Sequence, residues 1–123
     1  MRAFKTKSFA RWARKAGVTD QLLLEAVDEM EAGLLEARLG GSLFKKRLAR
    51  SGAGKSKGFR AIVAGTPDDR WVFLYGFGKN ERDNIDDDEL RALKQLAGVV
   101  LTMTPVQLGQ ALSAGELVEL KNG

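Results

Sequence analysis

Apolar residues in the first part of the chain recur every three or four positions, a spacing that predicts two helices. The first begins at Thr6 and ends before Gly17, a residue suited to a helix C-terminus. Its apolar face carries Phe9, Trp12, Ala13 and Ala16. The second begins after Thr19 or Asp20 and ends at Gly33. Its apolar face carries Leu22, Leu23, Ala26, Val27 and Met30, so the two helices form a hairpin.

Farther along the chain the pattern changes to an alternation of apolar and polar residues, which predicts strands. Residues 43–49 and 59–64 are the first two, and the almost wholly apolar residues 70–77 form a third, central strand. Residues 50–58, rich in glycine and serine, are predicted to form a flexible turn. Strands joined by short links are antiparallel neighbours, so these three are expected to form a meander.

The last part of the chain returns to helical signals. Asp86 and Glu89 have the spacing of a capping box and begin a long helix. Pro105 begins a short one, and residues 116–120 form either a last strand or a loose tail.

The order of elements predicts an α+β fold. The N-terminal helical hairpin packs on a small antiparallel sheet, and a C-terminal helix follows. The sheet contains the three-strand meander, with residues 2–5 as a candidate fourth strand at its edge. Length favours one domain, with residues 1–104 as its body and residues 105–123 as a C-terminal helical extension.

Composition excludes several chemistries. The 123 residues contain no cysteine and no histidine, which removes thiolate and imidazole catalysis and the commonest metal ligands. No apolar run approaches the ~20 residues of a membrane span. We therefore expect a cytoplasmic protein with no cofactor and no membrane partner. The basic first 16 residues are also typical of a transit peptide, but Phe9 and Trp12 on one face favour a folded element.

The net charge of +4 hides a strong segregation of charge along the chain. Residues 38–60 carry eight basic side chains and no acidic one, whereas residues 81–89 carry six acids and one base. The basic block creates a local positive field that suits a polyanion such as RNA. The acidic block is interpreted as helix capping, because its contiguous carboxylates cannot converge on one metal ion.

Strand geometry is expected to gather the cations. Lys45 and Arg47 are two positions apart, so they share a face. The turn contains Gly-Ala-Gly-Lys-Ser, but Ala49 stands where a phosphate-binding loop needs its first glycine, so a nucleotide triphosphatase is disfavoured. The cations predicted to surround one shallow groove are Lys45, Arg47, Lys55, Lys57, Arg60 and Lys79.

These motifs resemble the RelE/HigB toxins of type II toxin–antitoxin systems over about residues 40–100. The resemblance rests on Gly-x-Leu-x-Lys-x-Arg-x-Ala from Gly41, the Gly-Lys-Ser turn, Arg60 on the next strand, and Tyr-Gly-Phe-x-Lys-Asn-Glu from Tyr75. It implies a small sheet flanked by a helical hairpin and a C-terminal helix. It also implies metal-independent cleavage of mRNA on the ribosome, and a cognate antitoxin that silences the toxin.

In cleavage of this kind the 2′-hydroxyl of RNA attacks the adjacent phosphate. The enzyme must hold the sugar and phosphate in line, remove the proton of the hydroxyl group, and offset the negative charge that grows on the phosphate. Arg60 is the candidate for stabilising the phosphate, and Lys55 or Lys57 for the base, because clustered positive charge favours a neutral amine. Lys79 is placed to contact the phosphate or leaving group, and Tyr75 to stack on a base or donate a proton. The candidates for docking the RNA backbone are Lys45, Arg47 and Arg50.

Several interpretations stay open at this point. Relatives carry a tyrosine or histidine near the C-terminus, but this chain has neither after Tyr75, so the general acid is unassigned. A ParE-like gyrase inhibitor and a plain RNA-binding module are the alternative functions; the basic set counts against the first. Lys45 and Lys46 have the alternative of a solvated strand edge, and Tyr75 has that of a core residue. Trp12 and Trp71 are expected to be core anchors.

Overall fold

A computed structural model describes the backbone of residues 1–50 and 54–121, and the side chains of residues 1–49 and 58–121. The helices are α1 (Lys7–Ala16), α2 (Asp20–Glu31), α3 (Asp87–Leu101) and α4 (Pro105–Ser113). The strands are β1 (Arg2–Thr6), β2 (Ala37–Gly40), β3 (Leu43–Arg50), β4 (Gly54–Thr66), β5 (Arg70–Gly78) and β6 (Leu117–Glu119).

The strands form one sheet in the order β2-β3-β4-β5-β1-β6, which confirms the α+β class but corrects the predicted sheet. The strand pairs from β2 to β5 are antiparallel, whereas β1 is parallel to β5. The sheet is therefore mixed and has six strands where a small antiparallel meander was expected. Strands β1 and β6 are short and pair with segments far away in the chain, which local patterns do not reveal.

The prediction that residues 2–5 lie at a sheet edge is wrong. Strand β1 lies between β5 and β6, with Phe4 opposite both Val72 and Glu119. Ala3 and Phe4 are both buried, because each face of β1 is covered by a different core cluster. The return of the chain through β6 also settles residues 116–120 in favour of a strand, with Leu117–Glu119 paired to β1.

The hairpin of α1 and α2 covers one face of the sheet. Thr6 and Thr19 cap the two helices through their side chains, and Gly17 ends α1 with a φ of 75°. Trp71 is 1% exposed in the core beneath the hairpin, which confirms its predicted role as an anchor. Trp12 is partly buried and packs against the same core, with its ring 5.4 Å from that of Phe59.

Helices α3 and α4 cover part of the opposite face, where Ile62 and Val72 meet Ala97 and Val100. The predicted capping box is present, because Asp86 and Glu89 exchange hydrogen bonds with each other's backbone N–H groups. Within the described residues, no single helix is long and apolar enough to cross a membrane. Only α3 and α4 taken together meet that length and composition, and they are bent by 112°.

The predicted turn over residues 50–58 is too long. Strand β4 already begins at Gly54, which pairs with Arg50 across the hairpin, so the backbone of Lys55 and Lys57 belongs to a strand. The pairing with β3 is irregular here, because the register shifts between the pairs Leu48–Phe59 and Arg50–Gly54.

Candidate nucleic-acid interface

The register between β3 and β4 brings the predicted arginines together. Arg47 lies directly opposite Arg60, and Lys45 lies opposite Ile62. Leu43 and Ile62 belong to the core beneath α3, so Lys45, Arg47 and Arg60 project on that same face of the sheet.

A carboxylate that sequence reasoning did not select sits among these cations. Glu36, just before β2, is held by a hydrogen bond from its backbone N–H to the carbonyl oxygen of Lys45, at 2.9 Å. Its Oε2 lies 2.7 Å from Nε of Arg60 and 3.0 Å from Nε of Arg47. Its Oε1 lies 3.6 Å from Nζ of Lys45. We call these four residues the Glu36 cluster.

Burial differs sharply across the Glu36 cluster. The side chain of Arg60 is 4% exposed, that of Glu36 18%, and that of Arg47 50%. One carboxylate faces three cations, so the cluster keeps an excess of positive charge. A cavity of about 350 Å³ is lined by Glu36 and Arg47 of the cluster and also by Leu34, Leu35 and Lys46. The guanidinium of Arg60 is therefore held in a buried position, whereas the Arg47 side chain is bonded to Glu36 through Nε and half exposed.

Electrostatics keep the Glu36 carboxylate ionised. Burial by itself raises the pKa of this carboxylate. The hydrogen bond from Arg47 and the charges of Arg60 and Lys45 lower the pKa by more than burial raises it, so the pKa lies below the ordinary value of 4.5. At neutral pH the carboxylate is therefore an acceptor for guanidinium N–H groups, and a weak base toward a hydroxyl group.

Lys46 lies on the other face of β3. Its side chain is 6% exposed, and its Nζ lies 2.6 Å from Oε1 of Glu29 on α2. The alternative of a solvated strand edge is therefore wrong for Lys46. Lys45 and Lys46 thus lie on opposite faces of the sheet, and the ion pair of Lys46 links β3 to the helical hairpin.

Tyr75 and Arg82 extend the basic face past β4. Arg82 donates a hydrogen bond to the Tyr75 hydroxyl at 3.2 Å, and its guanidinium lies 5.8 Å from the centre of the Phe77 ring. Phe77 is opposite Arg60 in the β4–β5 register, so Arg82 lies near the Glu36 cluster. A cavity of about 240 Å³ is lined partly by Tyr75, Phe77 and Arg82. Tyr75 is half-buried against the core beneath α3, so it is both a packing residue and part of this cavity wall.

Glu89 holds Arg82 in this position. The Arg82 Nη1 lies 2.9 Å from Oε2 of Glu89, and the Arg82 Nε donates to the carbonyl oxygen of Asn84 at 2.8 Å. The hydrogen bond from Arg82 is the main reason that the pKa of Glu89 falls to about 2. Arg82, the basic residue within the acidic block, is thus oriented toward the aromatic residues of β5.

The remaining candidates are placed only in part. The side chains of Arg50, Lys55 and Lys57 lie outside the described residues. Lys79 is exposed after β5, and its backbone N–H donates to the carbonyl oxygen of Gly58 at 3.4 Å, which places it beside β4. Among the described residues, no three aspartate or glutamate side chains form a group able to hold a metal ion.

Two residues of this face, Glu36 and Arg82, were missed from the sequence. Each carries a weak local signal, because Glu36 is the last acid before the basic block and Arg82 is the sole base within residues 81–89. Neither position in the sequence shows which side chain the residue will contact. Glu36, for example, is 24 positions from Arg60, too far for a local pattern to connect them.

The fold and this face define a small α+β protein with a cation cluster on a sheet between a helical hairpin and a C-terminal helix. The family described as "RelE toxin of RelE / RelB toxin-antitoxin system" matches residues 1–120, and the chain belongs to this family. The family predicted from the sequence motifs is thereby confirmed. The protein is a toxin of a toxin–antitoxin system, and its family implies an antitoxin as partner. A search of curated proteins finds no match to the chain.

Proposed function

We propose that this toxin is a ribosome-dependent endoribonuclease that cuts mRNA without a metal ion and so stops translation. The observation that carries the proposal is the Glu36 cluster, in which a buried arginine and a half-exposed one share a carboxylate on one face of the sheet. Guanidinium groups match phosphate oxygens in pairs and stay charged at every physiological pH. Toxins of this family are generally endoribonucleases, which favours the same conclusion.

In the proposed reaction, the 2′-oxygen of one nucleotide forms a bond to the adjacent phosphorus while the bond to the 5′-oxygen of the next nucleotide breaks. The base takes the proton of the 2′-hydroxyl, and an acid returns a proton to the departing 5′-oxygen. The products are a 2′,3′-cyclic phosphate and a free 5′-hydroxyl. Charge grows on the phosphate oxygens during this step, so fixed donors aimed at them lower the barrier.

Arg60 is the proposed donor to the phosphate, and Glu36 is a positioning residue that fixes its guanidinium plane. Glu36 is a poor candidate for the base, because its lowered pKa leaves it little affinity for a proton near neutral pH. We therefore keep Lys55 or Lys57 as the proposed base and Lys79 as a contact to the phosphate or leaving group.

RNA docking is proposed to follow the same face. Lys45, Arg47 and Arg50 contact the backbone, and half of the Arg47 side chain is available for this role. A nucleobase of the RNA enters the cavity beside Tyr75, where the aromatic ring and the guanidinium of Arg82 offer stacking surfaces. Stacking needs an unpaired base, which is how mRNA is presented in the ribosomal decoding site.

The test is to map mRNA 5′ ends after brief induction of the toxin. We expect new ends within translated codons and growth arrest, both lost in Arg60→Ala. Lys46→Met is the matched control, because it removes a cation of the same strand from the opposite face and should keep cutting. Growth arrest with intact mRNA and DNA-damage signalling would instead indicate gyrase inhibition and refute the proposal.

A further inference from the structure

A second surface lies at the β6 edge of the sheet, away from the Glu36 cluster on β3 and β4. A cavity of about 460 Å³ opens there between the start of α1, the end of α3 and the segment from α4 to β6. Leu96, Val99 and Met103 form an apolar wall, and Lys7 and Arg11 lie on the side of α1. We call this surface the α1–α3 groove.

Two residues of the apolar wall, Leu96 and Val99, lie outside the core that holds α3 on the sheet. Helix α3 packs on the sheet through one stripe that includes Leu93, Ala97 and Val100. Leu96 and Val99 form a second stripe, one turn apart, and are 37% and 56% exposed. A contiguous exposed apolar stripe in a groove marks an interaction surface, whereas a scattered exposed residue does not.

The cations of β1, next to the groove, already have partners. Arg2 lies 2.9 Å from Glu119 on β6, and Lys5 lies 2.6 Å from Asp20 on α2. These pairs tie β1 to its neighbours and leave it little net charge to offer a ligand.

The basic residues of α1, in contrast to those of β1, have no carboxylate partners among the described residues. Lys7, Arg11, Arg14 and Lys15 are all exposed, and none of them forms an ion pair within the part of the chain that the structure describes. Lys7 and Lys15 are about 12 Å apart along the helix axis, at 1.5 Å per residue. Glu116 is the acid that lines the groove. The groove thus joins an aliphatic wall to two cations, Lys7 and Arg11, and Arg14 and Lys15 continue the positive charge along α1.

We propose that the α1–α3 groove binds an amphipathic helix of the antitoxin. Apolar side chains of that helix would pack on Leu96, Val99 and Met103, and acidic side chains spaced over two turns would face α1. A protein helix is favoured over RNA because the apolar wall of the groove is aliphatic, and no described residue that lines the groove offers an aromatic ring for base stacking. The inference requires the antitoxin that the family implies, and it does not require mRNA cleavage.

The probe is the protein encoded beside the toxin gene, purified and titrated calorimetrically into the full-length toxin. We expect Val99→Glu and Arg11→Glu each to weaken binding on the order of tenfold or more, as removal of a central contact does. Two matched controls lie on exposed positions outside the groove: Val106→Glu replaces another exposed valine, and Arg91→Glu reverses another exposed arginine. Both controls should bind like the wild type, and unfolding midpoints check that every variant is folded.

Three outcomes would overturn the inference. The first is equal affinity of the groove variants and the controls. The second is loss of binding confined to Arg47→Glu and Arg60→Ala, which would place the partner on the RNA face. The third is binding of anionic phosphatidylglycerol vesicles or single-stranded RNA that Val99→Glu abolishes while antitoxin binding persists. If wild-type toxin leaves mRNA intact, the proposed cleavage fails while the titration still decides the docking site.

Discussion

The Nε of Arg60 lies 2.7 Å from Oε2 of Glu36, and the two residues differ in what surrounds them. Arg60 is almost fully buried and has Glu36 as its one carboxylate partner among the described residues. Glu36 is more exposed and is also paired with Lys45 and Arg47. The arginine thus depends on the glutamate more than the glutamate depends on the arginine.

This asymmetry predicts unequal stability losses. Glu36→Ala leaves a buried guanidinium unpaired and should lower the free energy of unfolding by about 3 kcal/mol. Arg60→Ala leaves Glu36 with two other cations and should cost only about 1 kcal/mol. Urea unfolding of both variants measures the difference. Equal losses, or a larger loss in Arg60→Ala, would show that the dependence of Arg60 on Glu36 is overstated.

The same pair predicts a separation of RNA binding from cleavage. Glu36→Gln removes a negative charge from the cluster, so affinity for a short single-stranded RNA should rise and its salt dependence should steepen. Cleavage on programmed ribosomes should nevertheless fall, by about a hundredfold in Glu36→Ala and less in Glu36→Gln, whose amide oxygen still orients Arg60. Arg60→Lys keeps the charge but loses the paired donors and should cut poorly. Unchanged cleavage in all three variants would refute the positioning role of Glu36.

A second pair predicts a loss of stability far from the RNA face. Oε1 of Glu31 accepts a hydrogen bond from Nε1 of the buried Trp71 at 2.8 Å, and also one from the backbone N–H of Asp68. Glu31→Ala should lower the free energy of unfolding by about 1–3 kcal/mol, because it leaves an indole donor without an acceptor. Glu31→Gln keeps an acceptor oxygen and should cost less. If the two variants are equally unstable, the charge and not the acceptor matters.

The pairing of Glu89 with Arg82 predicts a pH dependence. The pKa of Glu89 is lowered from 4.5 to about 2, so the pair stabilises the folded state fully above pH 4.5. That contribution is lost as the pH falls from 4.5 through 2, because the unfolded chain takes up the proton first. Glu89→Gln keeps the capping-box acceptor and removes the charge.

Thermal unfolding midpoints between pH 7 and pH 3 check this prediction. The midpoint of the wild type should fall more steeply below pH 4.5 than that of Glu89→Gln. Asp88→Asn is the control, since its carboxylate is 91% exposed and is paired with the exposed Arg91. Parallel curves for the wild type and Glu89→Gln would contradict the assignment. Since Glu31, Glu36 and Glu119 also have lowered pKa values, only the difference between curves is informative.

Two glycines predict opposite effects of the same substitution. A Cβ on Gly65 would lie 2.1 Å from the Trp71 ring, so Gly65→Ala should destabilise by about 1–3 kcal/mol through overpacking. A Cβ on Gly98 in α3 meets nothing within 4 Å, so Gly98→Ala should stabilise by up to about 1 kcal/mol. Denaturant unfolding measures both effects through the shift of the transition midpoint, provided that the dependence of the unfolding free energy on denaturant concentration stays unchanged. The same sign for both substitutions would contradict the packing described.

Much of the local structure could be predicted because its causes lie close together in the chain. The capping box of Asp86 and Glu89 spans three residues, and Gly17 ends α1 through its own backbone freedom. The shared face of Lys45 and Arg47 follows from the two-residue period of a strand. The predicted limits of the Gly-rich turn are wrong because Gly54 already pairs with Arg50 across the hairpin, a contact that composition does not reveal.

The sequence by itself determined the four helices, the central parts of β3, β4 and β5, and the strand face that carries Lys45 and Arg47, since these depend on neighbours within a few positions. Tertiary structure alone decided that β1 runs parallel to β5 inside the sheet and that Glu36 meets Arg60. It also decided that Lys46, on the opposite face from Lys45, pairs with Glu29 of α2. Each of these depends on which distant segments pack together, and that choice is made by burial of the whole core rather than by any local pattern.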